Sequence, residues 1–450
     1  MRPLPVPALS ETATALCIIF ILLVPFAGAG ISLINTGLGR SRSAAHSMLA
    51  SLCILAIAAS IYFAFGFAWQ GYIGRPAHAL TVVGRQWDWM AAEPFFLRGL
   101  RFDGSSVSLA AWLGMLSVGL AALVPLGSGA DRWRLGAACA STALLAGWTY
   151  PLFAHWVWGG GWLAELGVNY GLGHGFVDAG GSSSIQAVGG LTALAIAWIL
   201  GPRRGKYAMD GMPTAIPGHN AVFVLFGCLV ALMGWLGMNC AGALLFTSTG
   251  PERLPLIAVN TMLAASAATL TTAGLTRMRF GKPDASLSAN GWVGGLVASS
   301  AACPFATPIG ALMIGLVAGA LVTFSVQWLE SRLAVDDPGG AISVHGVAGI
   351  WGALSVGLFA HFPDRMVNAA GGALRSSAGA GSGQWLAQIV GVATLIGLVL
   401  PMTYGLNWLL DRIYPQRVAT EGERQGMDLH ELGAGAYPEF MTHTDEFTQH

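Results

Sequence analysis

The sequence predicts an all-α integral membrane protein with about eleven transmembrane helices. Three observations lead there. Hydrophobic residues make up 54% of the 450 and charged residues only 10%, whereas a soluble chain keeps roughly a quarter of its residues charged. Apolar runs of bilayer length, about 20 residues, recur along the chain. Glycine is abundant, at 62 residues, and small residues let helices approach closely where lipid gives no hydrophobic drive for association. The formal net charge is zero, which argues against a nucleic-acid partner and leaves the lipid bilayer as the surroundings.

Taken in order, the apolar runs and their breakers predict spans at 12–35, 45–69, 106–127, 136–158, 180–201, 218–245, 254–276, 286–303, 309–328, 340–361 and 384–410. Pro304 and Pro308 are the main break between the eighth and ninth. The first run, from about Ala13 to Ile34, is too long for the core of a signal peptide. An odd number of spans puts the termini on opposite sides. With the N-terminus outside, 14 of the 22 Lys and Arg fall in inside segments, and four of the other eight sit in the single long loop 70–105. The positive-inside rule therefore predicts N-terminus out, C-terminus cytoplasmic.

The six cysteines lie in or beside apolar runs without a CxxC pair and read as small buried hydrophobes. No Walker, haem or zinc pattern appears, so neither a cofactor nor a metal is implied. About 40 residues follow the last span, too few for an appended enzyme domain. The expected division is a membrane domain over 1–411 and a cytoplasmic tail over 412–450.

The fifth and tenth spans begin alike. Residues 180–190 read GGSSSIQAVGG and residues 339–349 read GGAISVHGVAG. Ser184/Ser343, Ile185/Val344, Gln186/His345, Val188/Val347 and Gly190/Gly349 match without a gap, at an offset of 159. Five spans is an odd displacement, so the second copy is upside down. That is an inverted-topology repeat, with its pathway at the repeat interface near the midplane. The repeat pairs Gln186 with His345 at matching depth. Polar residues inside a membrane are costly and usually face a cavity or a partner, so these two are predicted to share one site.

Other polar features have simpler readings. Asp336 and Asp337 suit the N-terminus of the tenth helix. His155, His219 and His361 lie at span ends, where interfacial hydrogen bonding accounts for them. GPRRGKY is a basic loop that orientation alone explains. Loop 70–105 carries Trp and Arg, and is expected to be exposed.

Several long segments resemble the Amt/Mep/Rh ammonium transporter family. They are AHWVWGGGWL, DAGGSSSIQAVGG with GPRRGKY after it, HNAVFVLFGCLVALMGWLGMNCAGA, GKPDASLSANGWVGGLVA, VDDPGGAISVHGVAGIWGALSVGLF and the tail RVATEGERQGMDLHELGAGAYPEF. The likeness runs from about residue 12 to 440. It implies a homotrimer in a bacterial inner membrane, a hydrophobic pore for ammonium or ammonia in each subunit, and a tail that can meet a PII-type signal protein. Residue by residue, it puts Asp178 and Trp158 at an outer cation site. Gly242 stands there where the family usually has a serine. Met238 stands at a pore-gating phenylalanine, and the other gate position falls at Ser117. His345 matches the second of two pore histidines, and Gln186 stands at the first. Gly340 replaces a further acidic residue. The departures point to an altered pore, or to an ammonium-sensing protein with little transport.

Overall fold

The computed structural model describes residues 9–362 and 380–437. Arg365 and Arg375 of the tenth loop and the last part of the expected tail lie outside them. The chain forms eleven helical segments in the predicted order: α1 Glu11–Leu38, α2 Ser41–Gln70, α3 Ser106–Gly129, α4 at 135–158, α5 Ser182–Leu200, α6 Ala221–Phe246, α7 Pro251–Phe280, α8 Ala285–Ser299, α9 Pro308–Arg332, α10 Ile342–Phe359 and α11 Gly383–Ile413. Among the described residues nine of these are long and apolar enough to cross a membrane. The other two are α4, diluted by Trp148, Thr149, Tyr150 and Pro151 at its middle, and α8, with 15 residues before the turns that lead to Pro304.

The inverted repeat is visible in the hydrogen bonding. Both α5 and α10 start in a wide π-type turn, Ser182–Ala187 and Ile342–Val347. Just before α5, Gly180 N–H donates to Ser300 O at the end of α8, 2.9 Å away. Just before α10, its repeat mate Gly339 donates to Gly127 O in α3 at 3.1 Å. Helices α3 and α8 are each the third of their half. This reciprocal exchange is what a two-fold axis in the membrane plane produces. Helices α1 and α6, the first of each half, pack along one another, and α11 stands outside the repeat against α5 and α10.

One part of the chain departs from an all-helical reading. Loop 70–105 contains an antiparallel hairpin, Ala77–Val82 (β1) with Arg85–Ala91 (β2). Its tip is exposed, but its base is not. Trp156 Nε1 donates to Trp89 O at 2.8 Å, and Trp162 N–H to Asp88 O at 2.9 Å. The rings of Trp87, Trp89, Trp156 and Trp162 cluster at centroid distances of 5.8 to 6.4 Å. The Trp156 indole bond, the Trp162 backbone bond and the packed indole rings explain why the segment folds onto the end of α4 rather than trailing in solvent.

At the opposite end of the molecule the tail folds back on the helix ends. Arg417 donates to Leu200 O and Pro202 O and pairs with Glu423 at 2.8 Å. Asp428 accepts from the N–H groups of Ala45 and His46, capping α2, and Glu431 accepts from Leu135 N–H. Loop 202–218 and the tail therefore share one face, called the tail face below.

Candidate functional site

The residues that the repeat pairs are in contact. His345 Nδ1 lies 2.7 Å from Gln186 Oε1, and both side chains are buried. The contact depends on how closely α5 and α10 cross. A Cβ on Gly190 would come within 2.1 Å of Gly346 N, and one on Gly349 within 2.5 Å of Ser182 O. Those glycines are themselves repeat mates, each four residues past Gln186 or His345. Backbone against backbone at both positions sets the spacing that lets two short side chains meet.

Each π turn is held by an aspartate. Asp178 Oδ1 accepts from Gly181 and Ser182 N–H, and Oδ2 accepts from Ser183 and Ser184 N–H and from the Ser183 hydroxyl at 2.5 Å. The free N–H groups of a helix start carry partial positive charge, and a carboxylate satisfies them. Asp337 does the same for α10, accepting from Ala341 and Ile342 N–H and from the Ser128 hydroxyl. Asp178 and Asp337 are 159 residues apart, the repeat offset. Asp337 is thus the counterpart of Asp178, a match that lies two residues upstream of the glycine pair where the sequence comparison stopped.

The expected outer-site residues also gather around Asp178. Trp158 Nε1 donates to Asp178 O at 2.6 Å. One face of Trp158 is stacked on Phe246, with centroids 4.3 Å apart and planes 4° from parallel, so a cation can meet the indole only from its other side. Gly242 lies against the same loop. A Cβ there would stand 2.4 Å from Ala179 O, so a serine at 242 needs the backbone to move. Met238 and Ser117 are both fully buried, on α6 and α3, which touch.

Toward the tail face, a narrow cleft leads to His345 between Ile31, Ile34, Asn35, Asn290, Val293 and Val344. It has room for about one water molecule. Trp235 leans over the imidazole at 6.5 Å between centroids. Gln186 Nε2, Trp235 Nε1, Ser184 Oγ and Ser343 Oγ are buried without a hydrogen-bond partner among the described residues. Buried polar atoms of this kind are rare and costly, so the middle of the protein is suited to small polar molecules that hydrogen-bond in passing.

Asp336, next to Asp337, belongs to an ion network that the sequence reading missed. Arg203 makes two side-chain hydrogen bonds to Asp336, at 2.9 and 3.0 Å, and one to Asp131 at 3.0 Å. Arg132 donates to Asp336 O and Gly201 O. Burial pushes the Asp336 carboxyl up, but the Arg203 hydrogen bonds and the charges of Arg132 and Arg203 outweigh it and hold it below its ordinary value. Burial pulls Arg132 down to about 10. Among the described residues no group of His, Cys, Asp and Glu could hold a metal ion. The span-end histidines are hydrogen-bonded: His155 to Gln70 O and Asp88, His219 to Gly39 O and Tyr437, and His361 to Phe359 O.

Known proteins share this architecture. The sequence profile of the Ammonium Transporter Family matches residues 15–437. The ammonium transporter Amt2 of Archaeoglobus fulgidus is 35% identical over 423 residues, covering 93% of this chain and 86% of its own. The ammonium transporter of Bacillus subtilis is 30% identical over 427 residues, covering 93% and 97%. Among solved structures, a sensor Amt protein superposes with a TM-score of 0.81 at 27% identity, covering 93% of this chain and 98% of that one. Mep2 of Saccharomyces cerevisiae gives 0.74 at 25%, covering 92% and 90%. The chain belongs to the ammonium transporter family.

Proposed function

We propose that this protein conducts ammonium across a bacterial inner membrane, along a path past the crossing of α5 and α10 in each subunit of a homotrimer. The observation that carries the reading is the hydrogen bond between two repeat-equivalent side chains, Gln186 and His345, at the crossing of those helices. Moving a bare ammonium ion through an apolar passage costs several kcal/mol. Separation into ammonia and a proton lowers that cost if a base stands ready. His345 is such a base, since a neutral imidazole keeps one ring nitrogen as an acceptor. As arranged, its Nδ1–H donates to Gln186 Oε1, which leaves Nε2 as the acceptor. Turning the amide over makes Gln186 Nε2 the donor and moves the ring proton to the other nitrogen. Gln186 can thus select the tautomer. It cannot take a proton itself.

Asp178 and Trp158 form the outer approach, with Gly242 leaving out the serine hydroxyl. Cation–π attraction to an open indole face contributes about 1–2 kcal/mol. Met238 and Ser117 stand in for an aromatic gate, and flexible, apolar Met238 still closes the passage. Lacking a second imidazole, the wild-type pair should pass protons less well than ammonia. Restoring it with Gln186→His should raise ammonium-driven current in reconstituted membranes. Large wild-type currents that Gln186→His leaves unchanged would refute this mechanism. Orientation is part of the proposal, with the tail face cytoplasmic and able to meet a PII-type protein. Single cysteines in 202–218 that react with an impermeant thiol reagent from outside, while those in 159–178 do not, would overturn it.

A second reading is an ammonium sensor with little flux. It is favoured by the superposition on a sensor Amt protein and by the altered positions 186, 238 and 242. Growth rescue at low ammonium, in cells lacking their own ammonium transporters, separates the two. Rescue supports transport, and a folded protein that binds ammonium without rescue supports sensing.

A further inference from the structure

Helix α11 lies outside the inverted repeat, and two of its glutamines are buried. Gln384 and Gln388 are one turn apart, at 4% and 0% exposure. Amides in a membrane helix are expensive unless they are satisfied, and by default they mark function. Here both are satisfied by one irregular segment. Gln384 Oε1 accepts from His174 N–H at 2.9 Å, and its Nε2 donates to Gly175 O at 2.8 Å. Gln388 Oε1 accepts from Val177 N–H at 2.9 Å, and its Nε2 donates to Val177 O at 3.0 Å and to Ala353 O of α10 at 2.7 Å. The two side chains also bond each other at 3.1 Å. Each glutamine therefore pairs with the backbone as a neighbouring β-strand does, donor to acceptor and acceptor to donor.

The next residue after Val177 is Asp178. Its carboxylate caps the π turn of α5, and its carbonyl receives Trp158 Nε1. Irregular backbone next to the bilayer needs protein partners for its polar groups; His174 N–H, Gly175 O and both polar groups of Val177 take theirs from α11, while Gly175 and Phe176 N–H donate to Leu172 O and Leu163 O. Gln388 also ties them to α10, eight residues beyond His345. We propose that Gln388, seconded by Gln384, is a positioning residue. It fixes the height and orientation of Asp178 and Trp158 relative to α10, and so sets how tightly ammonium is held at the outer approach. The inference rests on the reading of Asp178 and Trp158 as that approach.

The test uses the full-length protein, purified in detergent and reconstituted, as wild type, Gln388→Leu and Gln388→Met. Both substitutions keep the volume and remove the pairing. Hydrogen–deuterium exchange reports on residues 174–184. Titration with ammonium chloride against sodium chloride reports binding, and vesicle uptake reports half-saturation and maximal rate. The expected result is faster exchange at 174–184 with unchanged exchange on the tail face. Ammonium binding and half-saturation should weaken about tenfold, the equivalent of about one lost buried hydrogen bond, with maximal rate within about twofold. Unchanged exchange would show that the glutamines do not hold the segment. Faster exchange with wild-type ammonium binding would show that holding it does not tune the site. Either overturns the inference. Binding that weakens in both variants supports it even if the vesicles show no uptake, so this inference and the transport reading fail separately.

Discussion

Replacing Gly190 by alanine tests the closeness of the two central helices. The added methyl would stand 2.1 Å from Gly346 N, 2.4 Å from Gly346 Cα and 2.7 Å from His345 C. All three are backbone atoms, so no side chain can swing aside. Real Cβ contacts essentially never fall below 3.0 Å, so α10 must retreat by about 0.9 Å. If the retreat is along the Gln186–His345 line, their separation grows from 2.7 Å to about 3.6 Å, which is no longer a hydrogen bond. Overpacking of this kind costs about 1–3 kcal/mol, and the lost bond about 1 kcal/mol more. The control is Gly274→Ala on α7, where a Cβ meets nothing within 4 Å and alanine favours the helix by about 0.5–1 kcal/mol. Thermal melting in detergent and ammonium-driven current in proteoliposomes are the assays. Gly190→Ala should melt several degrees below the Gly274→Ala control and lose most of its current. A Gly190→Ala protein with the control's stability and wild-type current would refute the account of the crossing.

Three further substitutions probe the surroundings. Asp178→Asn turns an amide N–H toward a nest of five donors and should cost at least about 2 kcal/mol, read as a lower melting temperature together with lost uptake. Gly242→Ser, which restores the family's usual hydroxyl, should lower stability through its 2.4 Å approach to Ala179 O; a variant that is equally stable and binds ammonium more tightly would show that the loop yields. Burial pushes the Glu431 carboxyl up, but its hydrogen bonds from His46 and Leu135 and the charges of His46 and Arg134 hold it below the ordinary 4.5. A depressed carboxyl stabilises the docked tail fully above its unfolded value, and that stability is lost as pH falls through the folded value. Limited proteolysis should therefore find the tail protected at pH 6 and released only below about 4.5, and Glu431→Gln should weaken that dependence, leaving the share carried by Asp428 and Glu423.

The order of the eleven helical segments was legible because apolar runs and their breakers leave a strong signal, nine of them at bilayer length among the described residues, and α8 ends at Ser299, shortly before Pro304. The encounter of Gln186 with His345 was legible because a period of 159 residues is a statement about symmetry. Asp337 could have been found by the same reasoning carried two residues further upstream. The hairpin was harder to see. Its strands are short, and the tryptophans that seat it, Trp156 on α4 and Trp162 just past it, lie far along the chain. The roles of Gln384 and Gln388 left no local trace, since their partners are backbone atoms about 210 residues away. Stacking of Trp158 on Phe246 and the ion network of Arg203 are tertiary facts that composition does not encode.

The two-fold relation between the halves places two unlike side chains, an amide and an imidazole, at equivalent positions. Two identical side chains at positions 186 and 345 would look the same to a molecule arriving from either face. With an amide on one half and an imidazole on the other, the midpoint resembles a diode more than a mirror. The cleft from the tail face ends at His345, so a traveller from that side meets a base first. One from the hairpin side reaches the midpoint through the half that carries the amide. On the proposed path, forward and reverse passage would then have different rate-limiting contacts. Inward and outward currents of unequal voltage dependence would be the electrical signature of that unmatched pair.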